Sequence, residues 1–129
     1  SNRKVVQIMS KRSLKPNTFF YEDEYGNMYH LAFYRTRYID GNLCLACNCS
    51  DDGIVYEPYA TITKNFTNYP TKSGYWAVFD WNNCSKLITE LCKRNILFYY
   101  GQRFRSGFCE YPIMEIDKTW LDSLPKKGE

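Results

Sequence analysis

The sequence predicts an α+β fold, a mainly antiparallel β-sheet with one principal α-helix packed on one face. Three observations predict it. Short stretches rich in β-branched and aromatic residues recur along the chain, separated by turn signals such as Tyr25-Gly26-Asn27, Asp40-Gly41-Asn42 and Asp51-Asp52-Gly53. One segment alone, Cys84–Arg94, carries apolar residues at helical spacing. Strands come first, then that helix, then strands, an order that belongs to the α+β class.

Each element has its own local reason. Residues 1–17 are polar and basic and end in Lys15-Pro16-Asn17, which reads as a flexible or loosely docked arm with a weak strand at Lys4–Met9. Thr18–Glu22 is aromatic and β-prone. Met28–Tyr34 alternates, with Met28, His30, Ala32 and Tyr34 against Tyr29, Leu31 and Phe33, as a strand does. Leu43–Cys49 follows as a third strand and Tyr59–Phe66 as a fourth. Thr67–Gly74 is a polar loop, and Tyr75–Trp81 a fifth strand. Asn82 and Asn83 are N-cap candidates for the helix, whose Cys84, Leu87, Ile88, Leu91 and Cys92 form one apolar stripe. Lys93 and Arg94 suit its C-terminal dipole, and Asn95 can end it. Ile96–Tyr100 is a short strand, Gly101–Gly107 a basic loop and Cys109–Ile116 a last strand, in which Pro112 implies an edge position or a bulge. Asp117–Glu129 is polar apart from Trp120, Leu121 and Leu124, which suit one docking turn before a loose end. The reading is one domain over 18–117, with a basic arm (1–17) before it and a polar tail (118–129) after it.

Length and composition bound the function. A chain of 129 residues is one domain and can hold a core without metal or disulfides. With 44% hydrophobic and 24% charged residues it is an ordinary globular composition, so wholesale disorder is excluded. The aromatic fraction, 18%, is the unusual figure and directs attention to where those rings go. Net charge is +3, too mild for a dedicated non-specific nucleic-acid binder. Five cations, Arg3, Lys4, Lys11, Arg12 and Lys15, precede the first acid, Glu22, and suit a solvated arm or one that steers an acidic partner. No apolar run is long enough to span a bilayer, and no secretory signal is visible, so a cytoplasmic location without membrane contact is expected. The six cysteines are then expected as reduced thiols, a secreted disulfide domain being the alternative.

The usual chemistries find little footing. Cys44-x-x-Cys47-x-Cys49 suggests half a zinc site, but strand alternation points Cys44 away from Cys47 and Cys49, and no glycine makes the tight turn a knuckle needs. His30 is the single histidine, so any nucleophile–imidazole pair has to use it, and mid-strand it reads as structural. Glu22, Asp23, Glu24, Asp51 and Asp52 flank turns and read as solvated turn formers. The phosphate-binding, dinucleotide and serine-hydrolase motifs are absent from the sequence. No metal or other cofactor is expected, and the chain reads as a non-enzyme. A small enzyme or metal-binding domain built on His30, the cysteines or the turn acids is the outlying alternative.

Aromatic and basic residues do interleave. Arg35 and Arg37 lie among Tyr34 and Tyr38, and Tyr99, Tyr100, Arg103, Phe104 and Arg105 form a denser cluster. These seven, Arg35, Arg37, Tyr99, Tyr100, Arg103, Phe104 and Arg105, are the candidate partner-binding residues. Tyrosine and arginine dominate protein interfaces, and the same pairing stacks bases and holds phosphates in single-stranded nucleic-acid binders. A protein partner is the first expectation and a single-stranded nucleic acid the second.

The segments Glu57-Pro58-Tyr59-Ala60-Thr61-Ile62-Thr63, Asn82-Asn83 before the helix, and Ser106-Gly107-Phe108-Cys109-Glu110-Tyr111-Pro112 carry a further signal. Over about residues 18–117 the chain resembles a short family catalogued only as a domain of unknown function, DUF4313, found on plasmids, conjugative elements and phage-like regions of Gram-positive bacteria. The resemblance implies a small cytosolic accessory protein of a mobile element, with no catalytic residue or cofactor to carry over. Such a context implies binding and inhibition of a host protein, for example a defence nuclease complex.

Overall fold

The computed structural model describes residues 17–69 and 74–127. The expected basic arm and its weak strand lie outside the described residues, except for Asn17. Seven strands and two helices follow in order: β1 (Thr18–Glu22), β2 (Met28–Arg37), β3 (Leu43–Ser50), β4 (Glu57–Thr61), β5 (Trp76–Val78), α1 (Trp81–Lys93), β6 (Leu97–Ser106), β7 (Cys109–Ile116) and α2 (Lys118–Ser123). The class is α+β, as expected, but the strands divide into two sheets. One is a meander, β1-β2-β3-β4, and the other has the order β5-β7-β6. Every pairing is antiparallel.

The turns follow local chemistry. Asp23 accepts from the backbone N–H of Tyr25 and of Asn27, both at 2.9 Å, and closes the β1–β2 turn. Burial opposes ionisation of this carboxyl, but the N–H bonds from Asn27 and Tyr25 prevail and hold it below the usual carboxylate range. Asp52 closes the β3–β4 loop in the same way, accepting from Ile54 N, Val55 N and Ser50 Oγ. Asp23 and Asp52 are thus turn formers as expected, but Asp23 is buried rather than solvated.

The fourth strand is shorter than expected and starts earlier. It ends at Thr61 because the chain then changes sheets. Ile62 N still donates to Leu45 O of β3, while Lys64 N donates to Val78 O and Thr63 bridges Phe79. This crossover joins the two sheets, and Ile62 is fully buried there. The fifth strand also contracts, and Trp81 belongs to the helix rather than to a strand.

Helix α1 lies along the junction, with Leu87, Ile88 and Leu91 buried. Its N-cap is Asp80, not Asn82 or Asn83. The Asp80 carboxylate accepts from the Asn83 side chain at 2.9 Å instead of from a backbone N–H, and the first turn kinks at Cys84 (φ −125°, ψ 22°). The C-terminus is a Schellman motif. Asn95 takes φ 59°, its N–H donates to Cys92 O, and Ile96 N donates to Leu91 O. Asn95 ends the helix as the sequence suggested.

One core holds both sheets and both helices together. Leu31 and Phe33 of β2, Leu45 and Cys47 of β3, Phe79 ahead of the helix, Ile88 and Leu91 of α1, Leu97 of β6 and Ile116 of β7 all enter it. Each such side chain stabilises the fold by roughly 1.5–3 kcal/mol on burial. The docking turn expected near Trp120 is α2, N-capped by Asp117, whose carboxylate accepts from Trp120 N at 2.9 Å. Leu121 and Leu124 are buried beneath it, and beyond them the backbone of Arg35 bonds Pro125 O and Lys127 N.

The largest correction concerns β6. The basic loop expected at Gly101–Gly107 is a strand as far as Ser106. Tyr99 faces Met114 and Arg103 faces Pro112, so Tyr100, Gly101 and Gln102 together oppose Ile113 alone. A bulge with two extra residues absorbs them, and Gly101 supplies the positive φ of 90° that it needs. Pro112 sits opposite this bulge, as one of its two expected settings required. Its strand, β7, is nevertheless the middle of its sheet. That is tolerated because β5 pairs β7 only as far as Ile113, and Pro112 offers its carbonyl to Phe79 N at 2.9 Å.

Candidate functional site

Beyond the bulge, β6 and β7 form a hairpin that outruns the rest of its sheet. β5 has ended, so this part of the hairpin has no strand on either flank among the described residues. Register assigns its faces. Tyr99, Arg103, Arg105, Glu110, Pro112 and Met114 share one face, while Phe104, Ser106, Cys109 and Tyr111 share the other. The tip is Gly107-Phe108, where Gly107 has φ 62° and the Phe108 ring is wholly exposed, at 101%.

On the first face Arg103 is held from two sides. Its Nε donates to the Tyr99 hydroxyl at 2.7 Å and its Nη1 to Glu110 Oε2 at 3.2 Å. A guanidinium has five N–H groups, so three remain for another acceptor. Arg105 donates Nε to Gly107 O at 3.3 Å and is otherwise exposed. Across from this face stands α1. Between them runs a groove of about 360 Å³, walled by Trp81, Thr89 and Cys92 of the helix and by Tyr99, Arg103, Glu110, Pro112 and Met114 of the hairpin. Its lining is mostly apolar, with the arginine and its carboxylate as the charged groups.

The second face packs against the loop after the sheet crossover. Phe104 lies 4.7 Å from both Phe66 and Tyr69, ring centre to ring centre, and Phe66 lies 5.2 Å from Tyr111. These residues surround a small core of Val78, Tyr111 and Ile113. Tyr100, in the bulge, lies tilted against Trp76 with ring centres 5.8 Å apart and donates its hydroxyl to Glu115 at 3.0 Å. That hydrogen bond to the carboxylate raises its pKa above the ordinary tyrosine value.

The seven sequence candidates therefore separate. Tyr99, Arg103 and Arg105 come together on one face of the hairpin. Tyr100 is exposed at the bulge but already engaged, and Phe104 is half-buried packing. Arg35 and Arg37 are on β2 with structural partners: Arg35 Nε donates to Leu124 O at 3.2 Å, and Arg37 Nη1 to Gly41 O at 3.0 Å across the β2–β3 turn. Sequence reasoning missed Phe108, Trp81 and Glu110. An aromatic directly after a turn glycine, as in Ser106-Gly107-Phe108, was the available signal for the first. Trp81 was hidden by its assignment to a strand.

The residues considered for chemistry lie elsewhere. His30 is buried under Phe20, ring centres 4.1 Å apart, and the Gly53 turn. Its Nδ1 has no hydrogen-bond partner among the described residues, so no nucleophile or carboxylate engages that nitrogen. Cys47 and Cys49 enter the core while Cys44 pairs with Thr36 on the opposite face, as alternation required. None of the six cysteines is in a disulfide. Burial pushes the Cys47 thiol up to about 12 and that of Cys84 up to about 11, the reverse of what an activated nucleophile needs. Cys84 borders a second, polar cleft of about 450 Å³ with Tyr21, Glu24, Tyr59 and Lys86. Burial raises both of those tyrosines too, to about 12 for Tyr59. Among the described residues no three His, Cys, Asp or Glu side chains group to hold a metal, and no helix is long and apolar enough to cross a membrane. Comparison with protein-family models, with curated proteins and with solved structures finds no match for this chain.

Proposed function

We propose that this chain is a non-enzymatic binding protein that docks on a protein partner through the free half of the β6–β7 hairpin. One observation carries the reading: Tyr99, Arg103, Arg105 and the bare Phe108 ring are presented together on a two-stranded projection held by the bulge at its base. Aromatic and arginine side chains on a pre-shaped support are the groups that dominate protein interfaces. The resemblance to a mobile-element family directs the same reading toward an accessory protein of a mobile element or phage, acting in the cytoplasm by binding and inhibiting a host protein such as a defence nuclease complex. Single-stranded nucleic acid fits this surface less well. Glu110 lies 3.2 Å from Arg103, and Glu115 holds the Tyr100 hydroxyl, so carboxylates stand where phosphates would have to come.

The test is affinity capture from host lysate with the wild type and with Arg103→Ala combined with Arg105→Ala. The captured protein should be lost in the double variant while the melting temperature stays unchanged. Retention of the complex by the double variant overturns the assignment of the surface. Binding of a single-stranded oligonucleotide that falls steeply and log-linearly with salt replaces the protein partner with a nucleic acid.

A further inference from the structure

The polar cleft beside Cys84 takes no part in the hairpin and is built differently from the groove. It lies between the start of α1 and the first sheet, with Asn82, Ser85 and Lys86 on the helix side and Tyr21, Glu24 and Tyr59 on the sheet side. Its volume of about 450 Å³ is that of a small-molecule site.

One buried side chain in it lacks a partner. Tyr21 is 3% exposed and its ring belongs to the core, yet its hydroxyl makes no hydrogen bond among the described residues. Burial raises the pKa of this hydroxyl, and Tyr59, Glu24, Asp23 and Cys84 add to the rise. Three of those four line the cleft, so the hydroxyl is aimed into it. A hydroxyl at such depth is unfavourable without a partner. A water would supply one bond, but the neighbouring groups suit a larger ligand.

Those neighbours define its chemistry. The Tyr59 ring, 36% exposed, offers a flat apolar face. Burial raises Tyr59 as well, so both phenols stay protonated and can donate. The side chains of Glu24, Asn82 and Ser85 make no hydrogen bond among the described residues. A carboxylate accepts, while an amide and a hydroxyl do both. Charge nearly cancels. Glu24 is the carboxylate of the lining and Lys86 its ammonium, which donates to Asp23 O at 2.7 Å. Glu24 with Asp23 behind it opposes anions, and Lys86 with the positive end of the helix dipole opposes cations. What fits is an uncharged molecule with one apolar face and a rim of groups that donate and accept, which is the chemistry of a sugar ring.

We infer that the cleft binds an uncharged sugar, with a face of its ring on Tyr59 and its hydroxyls on Tyr21, Glu24 and Asn82. The site is separate from the hairpin and does not rest on the protein-binding reading.

The experiment is an amide NMR titration of the full chain with glucose, galactose, N-acetylglucosamine and maltose, beside gluconate and glucosamine as charged counterparts. At least one neutral sugar should shift the backbone resonances of Tyr59, Asn82 and Ser85 to saturation, and bind more tightly than either charged compound. Tyr21→Phe removes one oxygen and leaves the ring in the core. It should weaken the sugar about fivefold, the worth of one net hydrogen bond, with the melting temperature of the free protein unchanged. Tyr59→Ala should abolish the shifts, and Glu24→Gln, at an exposed turn, should weaken them and covers the case in which Tyr59→Ala fails to fold. No shift with any sugar means that water alone fills the cleft and overturns the inference. Tighter binding of gluconate or glucosamine overturns the uncharged class, and equal binding by Tyr21→Phe overturns the placement. Arg103→Ala with Arg105→Ala should leave the titration as it was even where it loses the captured protein. A titration changed by that variant would place the sugar at the hairpin and overturn the cleft.

Discussion

Strands β3 and β6 are both rich in β-forming residues, yet β3 buries seven of its eight residues and β6 one of its ten, so neither shows the alternation of a half-buried strand. Position explains the difference. β3 lies between β2 and β4, and its Leu45 and Cys47 enter the core that ties the two sheets together. β6 is an edge strand with β7 on one side only, and past Gly101 β7 in turn has no β5 on its far side. The first strand carries stability and the second carries presentation. High aromatic content therefore describes two populations of rings, those that hold the fold and those that the fold holds out.

The largest effect that separates the two regions is truncation on the core side. Phe33 is fully buried, stacked on Phe19 at 5.4 Å and edge-on to Trp120 at 5.5 Å. Phe33→Ala should cost about 3–5 kcal/mol, read from the shift of the urea midpoint. A loss below about 1 kcal/mol would mean that the core does not run from β2 to α2 as a unit.

The alkaline limb of stability sharpens the contrast next. Burial pushes Cys47 of β3 up to about 12 from an ordinary 9.0. Below pH 9 the thiol is protonated in the folded and unfolded chain alike, and nothing is lost. Above it the unfolded chain releases the proton while the folded chain retains it, so stability should fall as pH rises through the window from about 9 toward 12. Cys84, raised to about 11, adds to the same slope. Cys47→Ala should flatten the fall in urea midpoint between these limits. An unchanged slope would place the alkaline sensitivity elsewhere, in the tyrosines for example.

Between these regions lies the bulge. Gly101 holds φ 90°, where a side chain is strained although open space surrounds it. Gly101→Ala should therefore cost about 1–2 kcal/mol through the backbone alone, and the calorimetric transition should shift while the Phe33 core stays native in its chemical shifts. A variant as stable as the wild type would mean that the hairpin can relax to a register without the bulge.

The same glycine shows why the site was less legible in the sequence than the fold. The repeated strand stretches, the stripe Leu87-Ile88-Leu91 and the Asn95 terminus are local signals, and local hydrogen bonding realises them. Gly101 is also a local signal, but it has two outcomes, loop or bulge, and only pairing with β7 decides between them. Trp81 entered the helix because Phe79 and Ile62 anchor the preceding residues at the sheet crossover, a contact between distant parts of the chain. Arg35 and Arg103 look alike in sequence, each an arginine beside an aromatic residue, Tyr34 and Phe104. What distinguishes them is that Arg35 meets the carbonyl of Leu124, which is 89 residues away along the chain.

That pair supplies the smallest effect on stability and the clearest division of roles. Arg35 is half-buried, and its Nε satisfies the Leu124 carbonyl beside a buried leucine side chain. Arg35→Ala should lose about 1 kcal/mol, the worth of one such hydrogen bond, while capture of the partner protein is undiminished at temperatures where the variant is folded. Arg103 and Arg105 project into solvent from the free half of β6, and their bonds are to groups that water can serve equally well. Their replacement by alanine should leave the urea midpoint where it was and abolish capture. The two substitutions thus make opposite demands on the same pair of measurements. If Arg35→Ala weakens capture as strongly as the hairpin variant does, at equal folded fraction, the binding surface extends across both sheets and the separation of stability from presentation fails. If the hairpin variant instead lowers the midpoint, Arg103 belongs to the architecture through Tyr99 and Glu110, and the partner must be sought at Phe108 and the tip.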